Sequence, residues 1–542
     1  MTPALPLLAV LLNAACTLIE PPPGVADDLL TVAERTNYEQ TSRHDDVIGL
    51  LERLDAISPA ARLLSMGTTF EGRTIPMLVI ADPPIQTSHD DPESNERILV
   101  TDDRIVVLAL GNIHAGEVDG KEALPMLARR ILLNPSAPEH RLLLDHLVIL
   151  LVPNYNADGN ERMAAGQRGS QNGPDVVGVR ENAQGLDLNR DFVKAAAPET
   201  RSLLRTINRW DPAVVIDCHI TNGSFHRYLV TYAGAKVPAG DARIIDHTRG
   251  VLFPGIVADF EARTGYKAFW DGNFNGEWAG EPTPRTRWET FPAQPRYGTN
   301  YVGLRNRLSI LVETYSYAPF DHRVGATVEF VMSSLTHAAR HAADIRELLD
   351  RADRDAQSDL RRGEPVAVRS RESPWPGTVT IAGYAEEVTD GRRRPTQAPR
   401  DYEVTLWDRF EPTVTVARPW GYAIPPGHGR VLETLAVHGI RFDTSDVALN
   451  VQAEVYRVES ANPASRAFQG HVLVDVAATA RTLPMALPPG WTIVRTAQPL
   501  GNLAVLLLEP RSEDGLATWN FFDDQLRAGE DFPVLRLPEP PG

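Results

Sequence analysis

Between residues 105 and 316 the chain alternates between two hydrophobic textures. Ile105–Leu110, Leu147–Val152, Val214–Cys218 and Leu308–Glu313 are short, largely β-branched and nearly free of charge, as strands buried on both faces are. Ala123–Leu133 and Glu199–Trp210 instead carry apolar residues at helical spacing. This alternation predicts an α/β domain with helices on the faces of a sheet. Upstream, from about Asp28 to Leu54, the apolar positions again recur at helical spacing, as in the segment from Asp46 to Leu54. Downstream, a helical stretch from Gly325 to about Arg362 closes the domain, and its charged end, Asp350 to Asp355, reads as a solvated face.

After Pro374 short alternating runs (Gly377–Ile381, Asp401–Leu406, Val451–Tyr456) are separated by Gly, Pro and Asp turns. That texture predicts an all-β accessory domain running to the Pro-rich tail. The expected organisation is a signal-like segment and linker over 1–27, an α/β domain over 28–362 and a β-rich domain over 363–542. A length of 542 residues fits two folded units.

Composition narrows the function classes. Lys and Arg number 54 against 71 Asp and Glu, a net charge of -17 that repels polyanions and argues against nucleic acid as a partner. Two cysteines, Cys16 and Cys218, supply no disulfide framework, and Cys218 sits in an apolar run as a small buried hydrophobe. The first fifteen residues are apolar and uncharged, too short to span a bilayer but similar to an export signal that lacks its basic start. Export to the periplasm or the extracellular space is expected, with a lipid anchor at Cys16 as a further option. No later segment has the length and apolarity of a transmembrane helix.

The candidate chemistry begins just after the run Ile105–Leu110, where His114 and Glu117 lie three positions apart. A strand ending in a turn presents such a pair at its carboxyl edge, where open α/β sheets place ligand sites. Alone, H-x-x-E is common and reads as a polar loop opening a helix. Imidazole plus carboxylate, with one further ligand and one open position, is also the donor set of a catalytic zinc. His219 ends the run that starts at Val214 and becomes the natural third ligand. Asp187-Leu-Asn-Arg-Asp191 offers a planar guanidinium, Arg190, suited to a carboxylate, and a directed donor, Asn189. Glu313 lies in so apolar a run that desolvation would raise its pKa toward the range of a general base, unless a buried arginine pairs with it. Arg168 is a candidate to stabilise a developing oxyanion.

In order and setting these residues resemble the zinc metallocarboxypeptidases of the carboxypeptidase A type, peptidase family M14. The resemblance covers about residues 30 to 350 and rests on His114, Glu117, His219, Asn189-Arg190 and Glu313. It implies a mixed eight-stranded sheet flanked by helices. It also implies one zinc per chain, held by His114, Glu117 and His219, with Asp187 orienting His114. Asn189 and Arg190 would grip the terminal carboxylate of a peptide or protein substrate. Arg168, or alternatively Arg180, would polarise the scissile carbonyl, and Glu313 would serve as general base. A mobile tyrosine is expected upstream of Glu313; both Tyr297 and Tyr301 are available, and Tyr297, next to Gly298, is preferred.

The leading expectation is therefore a zinc-dependent metallocarboxypeptidase. A zinc amidase acting on cell-wall peptides or other carboxylate-bearing amides is the alternative. A non-catalytic peptide-binding protein on the same fold is a third reading, disfavoured because candidates for both the base and the oxyanion donor are present.

Overall fold

The four apolar runs become neighbouring strands of one sheet. A computed structural model describes residues 24–85, 98, 102–277, 283–389 and 392–542. Residues 1–23 of the expected signal segment, with Cys16, lie outside these. The central sheet has eight strands: β1 (Ala61–Thr68), β2 (Thr74–Ile80), β3 (Ile105–Gly111), β4 (Leu147–Val152), β5 (Val214–Ile220), β6 (Val230–Ala233), β7 (Ala268–Trp270) and β8 (Leu308–Thr314). Their spatial order is β1-β2-β4-β3-β5-β8-β6-β7. The inner strands β4, β3, β5 and β8 run parallel, β2 and β6 pair antiparallel to this group, and the sheet is therefore mixed.

Strand alternation divides the core between two faces. Ile105, Val107 and Ala109 join a cluster with helices α1 (His44–Ile57), α2 (Asp119–Leu133) and α4 (Phe320–Arg340). Val106, Leu108 and Leu110 point the other way, into a cluster shared with α3 (Pro198–Trp210) and with Val431, Leu435 and Leu503–Leu508 from the C-terminal section. Both faces are covered, which is why these strands read as continuous apolar runs.

Two expectations are corrected. The helical stretch after Gly325 is not one helix: α4 ends at Arg340, His341 has φ −116° and ψ 20°, and a second helix spans Ala342–Ala356. The break re-aims the chain so that Ile345, Leu349, Ala352 and Ala356 are buried. The C-terminal section is β-rich but not all-β. Its six-stranded sheet is accompanied by helices Gly429–His438 and Gly501–Leu508. The second is buried almost all round, so its sequence has no polar face to mark its period.

Packing crosses residue 363. A four-stranded sheet joins Asn273–Phe274 and Arg287–Glu289, from the segment before β8, to Arg392–Trp407 and Val379–Thr389. Among the described residues no helix is long and apolar enough to cross a membrane.

Candidate active site

The site lies at the carboxyl ends of β3, β5 and β8. β3 stops at Gly111, where an added Cβ would stand 2.8 Å from the Gly120 carbonyl carbon and 2.9 Å from the Pro153 oxygen. Only a glycine permits that approach, which brings the start of α2 against the strand end. Asn112 then turns with φ +66°, a conformation asparagine tolerates, and the chain presents His114 and Glu117 in a turn closed by Glu117 N–H donating to His114 O at 2.8 Å. His219 stands on β5, in register beside Glu313 of β8, and Thr231 of β6 flanks Glu313 on its other side.

His114 Nδ1 lies 3.0 Å from Glu117 Oε1, and His219 Nδ1 lies 3.0 Å from Glu117 Oε2. The two Nδ1 atoms are 3.3 Å apart, and one donor atom from each of the three side chains falls within 4.8 Å of the others. Each imidazole turns its far nitrogen to a carboxylate. His114 Nε2 lies 3.1 Å from Asp187 Oδ1, and His219 Nε2 lies 2.8 Å from Asp217 Oδ2. Two convergent imidazoles and one carboxylate, all buried and braced by outer carboxylates, fit a zinc ion in donor type and charge. Burial alone would raise the Glu117 carboxyl, but His114 and Arg168 hold it well below its ordinary range. For His219 burial opposes the proton, whereas Asp217 and Glu117 lift its pKa well above the ordinary value.

These residues open on a cavity of about 220 Å³, lined by His114, Glu117, His219, Arg180, Asn189, Arg190, Tyr297 and Glu313 among others. Burial pushes the Glu313 carboxyl well above its ordinary range; His219 counters this, and Asp271 and Glu117 add to it. Arg190 stacks its guanidinium 4.1 Å from the Tyr297 ring centroid and donates to Asn189 O at 2.7 Å. Asn189 Oδ1 accepts from Gly298 N at 2.9 Å, which leaves the amide NH2 as the end available to a ligand. Asp187 accepts from Asn189 N at 2.9 Å and from Arg180 Nε at 2.9 Å, and so joins the metal-ligand side of the cavity to its basic side.

The alternatives left by the sequence separate in space. Tyr297 lines the cavity, whereas Tyr301 is fully buried with its hydroxyl 2.8 Å from His438 Nδ1. Arg180 lines the cavity; Arg168 contacts Glu117 Oε1 at 2.5 Å but is not part of the cavity wall. Two further carboxylates carry no expectation from the sequence. Asp217 sits two residues before His219, hence on the same strand face, and that period-two spacing was a readable signal. Asp271 lines the cavity and accepts from Thr231 Oγ1 at 3.0 Å; it comes from the segment between β7 and β8, with no motif to mark it.

Residues 48–202 match the family profile described as zinc carboxypeptidase, a span containing His114, Glu117, Asp187, Asn189 and Arg190. Carboxypeptidase 2 of Trichophyton rubrum is 24% identical over 482 residues, covering 86% of this chain and 81% of that protein. Mouse (Mus musculus) carboxypeptidase Z is 34% identical over 149 residues, 27% of this chain and 20% of the relative. Among solved structures, carboxypeptidase A from Helicoverpa armigera aligns with a TM-score of 0.40 at 16% identity, over 56% of this chain and 75% of its own. The profile falls on the strand-end turn that presents His114 and Glu117, and the match over residues 48–202, together with the carboxypeptidase relatives, supports an M14 zinc carboxypeptidase domain and with it a peptide-bond hydrolase.

Proposed function

We propose that the chain is a zinc-dependent metallocarboxypeptidase that releases the C-terminal residue of peptides or proteins, with the 28–362 section catalytic and the 363–542 section accessory to it. The observation that carries this reading is that Arg190, a planar cation with Tyr297 across one face, shares a cavity with His114, Glu117 and His219. A guanidinium there suits a substrate's terminal carboxylate, and so favours cleavage at the chain end over cleavage within it. Export to the periplasm or extracellular space belongs to the same reading and rests on the apolar residues 1–15.

His114, Glu117 and His219 would hold one zinc ion. When bound, zinc supplies a Lewis acid that polarises the scissile carbonyl and acidifies water. Arg190 and the Asn189 amide would hold the terminal carboxylate, and Tyr297 would pack beside it. Arg180, in the cavity wall while it holds Asp187, is the better placed arginine to stabilise charge developing on the carbonyl oxygen, since Arg168 does not line the cavity. Glu313 would accept a proton from the attacking water and return it to the leaving amine. Its raised affinity for a proton suits both halves of that transfer.

The test compares one peptide as free acid and as C-terminal amide. Release of the last residue from the acid but not from the amide is expected, and equal cleavage of both would overturn the exopeptidase reading. A muropeptide substrate in the same assay tests the cell-wall alternative.

A further inference from the structure

A tight turn in the C-terminal section reaches the back of the catalytic cavity. Between strands Leu449–Pro463 and Val474–Leu487 the chain reverses at Phe468-Gln469-Gly470-His471, closed by Phe468 N–H to His471 O at 2.7 Å and His471 N–H to Phe468 O at 3.0 Å. Gln469 and Gly470 have φ of +52° and +78°, so both central residues are left-handed, as in a type I′ turn. Asparagine, aspartate or glycine is favoured at the first of these positions, and glutamine is strained there. Its side chain has a definite use: Oε1 accepts from the Asp187 backbone N–H at 2.7 Å.

Asp187 is a junction. Its carboxylate receives His114 Nε2, Asn189 N–H and Arg180, and the short helical turn that carries Asn189 and Arg190 starts from it. The hairpin tip is itself held in place. His471 packs edge-on against Trp519 at 5.4 Å, and Trp519 donates from Nε1 to Asp514 Oδ1 at 2.7 Å. Asp514 in turn accepts from the backbone N–H of Arg296, the residue before Tyr297, at 2.7 Å. The C-terminal section thus holds the backbone just before each partner of the Arg190–Tyr297 stack, at Asp187 and at Arg296, through the hairpin tip and the Trp519–Asp514 pair.

We propose that Gln469 is a positioning residue of the active site, acting through Asp187 on the orientation of His114 and of Asn189-Arg190. A side chain longer than the turn prefers is retained because it reaches an otherwise buried backbone donor. The inference rests on the metal-site reading above.

The test uses the full chain with Gln469→Gly, which removes the acceptor and relieves the left-handed strain. Zinc affinity by chelator competition, kcat and KM on a free-acid peptide, and the melting temperature are compared with the parent. The expected result is a melting temperature equal to or above the parent's, zinc bound about tenfold more weakly, and kcat reduced by a similar factor. Zinc affinity and kcat within twofold of the parent would overturn the proposal. So would losses that simply track a lowered melting temperature, since these mark general loss of structure. A parent that binds zinc while the variant is unaffected sinks Gln469 alone; a parent that binds no zinc sinks the metal-site reading and this inference together.

Discussion

Glu313 and His219 stand side by side on adjacent parallel strands, paired in register through the β8–β5 ladder. The sheet itself therefore sets the spacing between the proposed base and one proposed metal ligand. Glu313 is not among the three clustered candidate ligands, so its proposed chemistry can be separated from metal binding.

Glu313→Gln keeps the shape and removes the proton acceptor. A fall in kcat of about 10²- to 10⁴-fold is expected, with zinc content unchanged. Steady-state kinetics at saturating peptide, alongside metal analysis, checks it. Turnover near the parental rate would place the base elsewhere.

Arg190→Ala removes the fork that stacks on Tyr297. Loss of such a charge-assisted contact is worth about 2–5 kcal/mol. The expected outcome is a decrease in kcat/KM of at least about thirtyfold on free-acid peptides. Discrimination against the amidated peptide should shrink by the same factor, and parallel assays of the two substrates read it directly.

Asp217 Oδ2 lies 2.8 Å from the far nitrogen of His219 and so, in the proposed reading, would fix which nitrogen faces a bound metal. Asp217→Asn is expected to weaken zinc binding by about 10- to 100-fold, measured by competition with a chelating dye. Stripping zinc from the parent should abolish peptide hydrolysis and lower the melting temperature, because the ion binds the folded state preferentially. Added zinc should restore both.

His438, which does not line the cavity, offers a test of stability against pH. Burial lowers its pKa from 6.5 to about 4, and its ring lies between the Tyr301 hydroxyl and the Val193 carbonyl. The unfolded chain binds this proton near pH 6.5 and the folded chain only near pH 4. The stabilisation is therefore fully present above pH 6.5 and is lost as pH falls through that window, by about 3 kcal/mol at most. Denaturant unfolding between pH 4 and 7 should show a shallower acid loss for His438→Gln than for the parent. Parallel curves would show that His438 does not titrate in this way.

Much of the centre of this protein was legible as a linear string. The four apolar runs were read as strands because helices and the C-terminal section cover both sheet faces, leaving no polar alternation to blur the signal. β1, β2, β6 and β7 were not singled out. They lie toward the edges of the sheet, where β1 is partly exposed and β7 spans three residues, too short for periodicity to register. The break at His341 leaves no mark in the sequence because the amphipathic period continues on either side of it.

The residue types and their order determined the candidate donors His114, Glu117 and His219, the Asn189-Arg190 pair and Glu313, since ligand chemistry and apolar context are local properties. Which tyrosine and which arginine border the cavity was decided only in three dimensions, because loops of similar composition differ in where they point. The same holds for the brace on Asp187. Gln469 lies 282 residues further along the chain, and only the packing of the C-terminal hairpin against the catalytic turn brings its amide to that backbone donor.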